Sequence, residues 1–68
     1  MIKVKVPELL AQHNMNATDL MRRGNIAYAT ALRLSKGHAT AISFEVLESL
    51  CQLFNVGVSE VLEYEKDK

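Results

Sequence analysis

Four cations, Arg22, Arg23, Arg33 and Lys36, lie close together in the chain with no carboxylate between them. Basic side chains gathered in this way suit the neutralisation of a polyanion such as a nucleic-acid backbone. The rest of the reactive inventory does not assemble into a catalyst. His13 and His38 fall in different segments from Cys51, and no C-x-x-C, H-x-x-x-H or Gly-rich phosphate loop occurs. The carboxylates collect in the C-terminal half without apolar shielding. No enzyme activity, structural metal, cofactor or small-molecule ligand is therefore expected. Cys51 belongs to the apolar stripe of a helix and reads as a small core residue rather than a nucleophile or redox sensor. His13 reads as a surface residue near a helix end.

Formal net charge is zero, but the charge is divided along the chain. Residues 1–38 hold six cations against Glu8 and Asp19, giving +4, and residues 39–68 hold Lys66 and Lys68 against six carboxylates, giving −4. One basic and one acidic half suit a protein with a single nucleic-acid face. Ordinary charge mixing on a solvated surface would produce the same tally. At 68 residues there is room for one domain, 1–68, and a fold of this size hides only about 60% of its unfolded surface. Its apolar runs are a few residues long, far short of the ~20 that cross a bilayer, so no membrane role is expected. Met1 to Lys5 lacks the apolar run and cleavage site of a secretory leader. A single Cys51 forms no internal disulfide and fits a reducing cytoplasm.

The cations must be held by the stretch 16–37. Asn16 is suited to cap a helix with Asp19 three residues on as its capping-box partner, and Leu20 and Met21 supply an apolar pair. Gly24-Asn25 stops that helix, and a second starts near Ala27. Ile26, Ala31 and Leu34 fall on one side of it, while Tyr28, Ala29, Leu32, Arg33 and Lys36 fall on another. Two short helices joined by a tight turn are the helix-turn-helix pattern.

Around this unit, Ile2-Lys3-Val4-Lys5-Val6 alternates as an extended segment, and Leu62-Glu63-Tyr64-Glu65 alternates with the opposite charge. Pairing of the two would set lysines against glutamates and Ile2 and Val4 against Leu62 and Tyr64, within one chain or across a dimer. The alternative is a frayed N-terminus and a helix that runs on through Tyr64. Pro7 and Glu8 open a first helix that reaches His13. Asn14, Asn25 and Asn55, each followed by an apolar residue, read as left-handed helix stops. The segment 38–42 reads as a loop. Ser43 caps a fourth helix, whose density of apolar residues predicts the most buried element, Ser59 caps a last turn over 60–63, and the tail at about 65–68 is expected to be flexible.

At Leu20, Gly24-Asn25, Ile26, Thr30, Leu34 and Lys36-Gly37, the chain resembles the Cro and lambda-repressor type of helix-turn-helix regulator. With its flanking helices, the resemblance covers nearly the whole chain. It implies an all-α, compact five-helix lambda-repressor-like domain, to which the alternating termini add the option of a short extended pairing. It also implies a DNA-binding transcriptional regulator, a repressor that places the helix starting near Ala27 in the major groove of double-stranded DNA, as a homodimer. Carried over position by position, the reading face is Ala27, Tyr28, Ala29, Leu32, Arg33 and Lys36. Arg33 is the candidate for a guanine contact, Tyr28 for a hydrogen bond to base or phosphate, and Ala29 for a thymine methyl. Asn16, Arg22, Lys36 and His38 are the phosphate candidates, supported by free N–H groups at the start of the first helix of the motif. Thr30 reads as a packing residue.

The family's usual residues differ at four places. It carries Gln where this chain has Ala17, removing a familiar DNA contact at that position. It carries alanine at Met21, glycine at Asn25, and Ile or Val at Ala31. Met21 and Ala31 together form a large/small exchange that conserves volume. The expected reading face is poor in polar groups, which leaves an alternative: a helix-turn-helix module that binds another protein, as an antirepressor or assembly partner.

Overall fold

The computed structural model describes residues 1–66 and sets five helices between two short strands. The order is β1 (Ile2–Val4), α1 (Val6–His13), α2 (Ala17–Arg23), α3 (Tyr28–Ser35), α4 (Phe44–Phe54), α5 (Val58–Val61) and β2 (Leu62–Tyr64). Asparagines punctuate it. Asn14, Asn25 and Asn55 take the left-handed conformation at φ 55°, 54° and 56°, which Asn tolerates better than other side-chain-bearing residues. After Asn14 and Asn55 the next N–H turns back into the helix, Met15 to the Leu10 carbonyl at 2.9 Å and Val56 to the Cys51 carbonyl at 3.0 Å. These bonds satisfy carbonyls that the helix end would otherwise leave open.

The core draws on every helix: Val6, Leu9 and Leu10 of α1, Leu20 of α2, Ala31 and Leu34 of α3, Leu50 and Phe54 of α4, and Val61 of α5, with Ile26 from the turn. Each is at most 5% exposed. Among the described residues no polar or charged side chain is buried. The His13 ring lies exposed at the end of α1, 5.0 Å from the Phe54 ring, and covers that edge of the core.

Several expectations change. The five helices are as expected, but the all-α class is not strict: the optional pairing of the termini is present as a two-stranded antiparallel sheet, in which Ile2 pairs with Tyr64, Lys3 with Glu63 and Val4 with Leu62. The termini therefore close on each other within one chain, and no helix runs through Tyr64. Val6, grouped by alternation with the strand, is the fully buried first residue of α1. Gly57 rather than Ser59 starts the last helix, because the Glu60 carboxylate reaches back to accept from the Gly57 N–H at 3.3 Å and Ser59 lies inside the turn. Helix α4 is not the most buried element: only Leu50 and Phe54 are fully enclosed, and Phe44 is 88% exposed. Of the tail expected at 65–68, Glu65 exchanges backbone bonds with Met1 at 2.8 and 2.9 Å, and residues 67 and 68 lie outside the described residues.

Candidate nucleic-acid interface

Helix α3 rests on α1 and α2. Ala31 and Leu34, at 0% and 1% exposure, pin its inner side, and Ala27, Tyr28, Ala29, Arg33 and Lys36 are exposed on the other. Ala29, Leu32, Arg33 and Lys36 follow the i, i+3, i+4, i+7 spacing that aligns side chains in one stripe along a helix. Leu32 is half-buried within that stripe, and Thr30 is half-buried beside it. With its side chains an α-helix is about 10–12 Å across, which fits the roughly 12 Å width of the B-DNA major groove. Among the described residues, Arg22, Arg23, Arg33 and Lys36 are exposed and carry no ion pair, so their charges are available to an outside anion.

Both ends of α3 follow from its sequence. At the start, Ala27 is the N-cap and offers no side-chain oxygen, so the first-turn N–H groups are not capped by it. At the far end Gly37 takes φ +72°, and the His38 N–H donates to the Arg33 carbonyl at 2.9 Å. That closure places His38, exposed, just past Lys36.

The turn between α2 and α3 divides two demands between two residues. Gly24 supplies space: a Cβ there would lie 2.8 Å from the Leu20 carbonyl oxygen and 3.1 Å from Ile26 Cδ1. Asn25 supplies the left-handed conformation that glycine otherwise adopts most readily. Ala31 is fully enclosed in the core, whereas Met21 is half-buried and is not among the side chains packed against that core, so the expected large/small exchange between the two is not seen.

The α2 N-terminus differs from expectation. Asn16 Oδ1 accepts from the Asp19 N–H at 3.1 Å, and Asp19 Oδ2 accepts from the Asn16 N–H at 3.1 Å. The capping box thus occupies one of the free N–H groups expected there and leaves a carboxylate beside the rest, a poor seat for phosphate. The Asn16 side-chain amide group remains exposed, while Ala17 is half-buried against the core. The structure brings Ala27, Tyr28, Ala29, Leu32, Arg33, Lys36 and His38 onto or beside α3 and puts Arg22 in the last turn of α2. The set of contacts carried over position by position from the resemblance omits Arg23, although it is exposed beside Arg22 and belongs to the same cluster of cations in the sequence.

The family description that matches this chain, over residues 5–67, is the Cro/C1-type HTH DNA-binding domain. The chain is also 31% identical, over 67 residues, to YozG of Bacillus subtilis (strain 168), named an uncharacterized HTH-type transcriptional regulator. That similarity covers 98% of this chain and 80% of the relative. No solved structure matches it.

Proposed function

Because the chain belongs to the Cro/C1-type helix-turn-helix DNA-binding family, we propose that it is a sequence-specific transcriptional repressor of the cytoplasm that acts by occupying an operator. In this reading α3 lies in the major groove, Arg33 hydrogen-bonds a guanine, and Arg22, Lys36, His38 and the Asn16 amide contact phosphates on either side. Arg23 joins the phosphate set. The observation that supports the reading best is the outward stripe of α3, presented with unpaired cations and anchored from behind by buried Ala31 and Leu34.

One such helix reads few bases, so specific binding calls for two copies related by a two-fold axis, with half-sites about one helical turn apart. The apolar face of the terminal ribbon is the surface proposed to seat the second copy. Ile2 and Tyr64 pair across the strands and are 61% and 68% exposed, and they continue the face on which Val4 and Leu62 meet the core.

The apolar character of Ala27, Ala29 and Leu32 favours a second reading, in which the same face binds protein. Affinity for random duplex DNA across a salt series separates the two. Log affinity should fall with log salt by about 0.9 per phosphate neutralised, roughly 3 per copy for Arg22, Arg23 and Lys36. Absence of duplex binding at low salt would instead support a protein partner.

A further inference from the structure

On the proposal that α3 enters the major groove, we infer that the half-site is read mainly through thymine methyl groups, with one hydrogen-bonded guanine at Arg33. The stripe that would meet base edges is chemically lopsided. Ala27 and Ala29 are exposed and end in methyl groups, and Leu32 is a branched hydrocarbon in line with Ala29 and Arg33. None of the three donates or accepts a hydrogen bond through its side chain. On this face only Tyr28, Arg33 and Lys36 carry polar side-chain atoms, and Lys36 lies at the C-cap, past the helix end.

Beside their donors and acceptors, the major-groove edges of the four base pairs carry one projecting apolar group, the C5 methyl of thymine, where cytosine has only hydrogen. An apolar side chain pressed against a donor or acceptor strips its water and returns no bond, which is unfavourable. Pressed against a methyl, it buries hydrocarbon on both sides. Burial of one methyl-sized group corresponds to roughly fourfold in affinity. Ala27, Ala29 and Leu32 therefore select for the methyl and are blind to whether the atom beside it is the O4 acceptor of thymine or an N4 donor. A cytosine methylated at C5 presents the same methyl group on a pyrimidine ring, so this face should accept 5-methylcytosine where it accepts thymine. Arg33 has the two-pronged donor geometry for guanine O6 and N7, and among the described residues no ion pair holds its guanidinium back.

The test uses the full chain and sites selected from random duplex DNA. In the recovered site, each thymine is replaced in turn by deoxyuridine, which removes only the methyl, then by cytosine and by 5-methylcytosine paired with guanine. Two or three positions per half-site should lose about fourfold with uracil, and at those positions 5-methylcytosine should bind at least threefold better than cytosine. The guanine at Arg33 should lose about tenfold as 7-deazaguanine, a loss absent in Arg33→Ala. Ala29→Asn, at an exposed position, should move the preference at its base from thymine towards adenine. Sequence-specific binding that ignores the uracil substitutions at every position would overturn methyl readout while leaving the groove reading intact. No selection of duplex DNA at low salt would overturn the groove reading, and this inference with it.

Discussion

Asn16 and Asp19 cap each other: the side chain of each accepts the other's backbone N–H, both at 3.1 Å. The pair fixes where α2 begins and hence where its last turn delivers Arg22 and Arg23. Asn16→Ala should cost about 1 kcal/mol of stability, the usual loss when an N-cap oxygen is removed. Asn16→Asp keeps the capping oxygen but loses the amide and adds negative charge. It should hold its melting temperature within a few degrees and still bind DNA more weakly, if the Asn16 amide meets a phosphate. Thermal unfolding by circular dichroism, read beside duplex affinity, checks both; equal affinity for Asn16→Asp and wild type would remove Asn16 from the interface.

The turn gives a second, purely structural prediction. Gly24→Ala would place its Cβ 2.8 Å from a backbone oxygen that cannot yield cheaply, and should destabilise the domain by about 1–3 kcal/mol. Asn25→Ala should cost about 1 kcal/mol for forcing alanine to φ 54°, whereas Asn25→Gly should be neutral or slightly stabilising. For a chain of this length, 1 kcal/mol corresponds to roughly 4–8 °C in Tm. A tolerated Gly24→Ala would mean that the turn relaxes more freely than its contacts imply.

Local chemistry of this kind was the legible part of the chain. Asn14, Asn25 and Asn55 as stops, Ser43 as a cap and the capping box of α2 all follow from short-range bonds that a sequence specifies by residue type. The Ser43 hydroxyl, for instance, accepts from the Val46 N–H at 3.1 Å. What the sequence left open depends on partners distant along the chain. Val6 alternates with Ile2 and Val4, and only its full burial in the core, next to Lys5 whose N–H donates to the Val61 carbonyl, turns it into a helical core residue. Glu60 outcompetes Ser59 at the α5 start because its longer side chain spans back to Gly57. Phe44 sits in an apolar run, but as the first residue of α4 it lies before the face that meets the core. The same limit governs the candidate site: the spacing of α3 shows which side faces out, while the loss of an anion seat at the α2 start appears only once the Asp19 carboxylate is placed.

Arg33 and Lys36 share a stripe but are assigned different tasks, and their alanine variants should differ in kind. Arg33→Ala should relax discrimination at one base pair by about 1–3 kcal/mol and leave affinity for unrelated duplexes comparatively unchanged. Lys36→Ala should weaken all sequences alike and reduce the salt slope by about 1. Competition assays against a panel of single-base operator variants, repeated at several salt concentrations, measure both quantities. The reverse pattern would exchange the two roles.

The ribbon carries the prediction about assembly. Its apolar face presents exposed Ile2 and Tyr64, and Ile2 also lines a groove of about 290 Å³ together with Val4, Leu34, Ala39, Ile42 and Leu62. In the proposed dimer two copies of this surface would meet about a two-fold axis, so that each contact occurs twice. Edge-to-edge addition of the ribbon is less favourable. Joining β1 to its own copy would set Lys3 and Lys5 against like charges, and joining β2 to its copy would do the same with Glu63 and Glu65. Packing through the face avoids that repulsion, and the chain's zero net charge adds no long-range barrier. Tyr64→Arg, at a position 68% exposed, should leave the monomer folded and shift the sedimentation mass from two chains to one at micromolar concentration. Operator affinity should fall at the same time, while the salt slope per copy stays unchanged. A wild-type chain that sediments as a monomer at every concentration, and binds its operator as one copy, would remove the dimer; a Tyr64→Arg variant that remains dimeric would move the interface away from the ribbon.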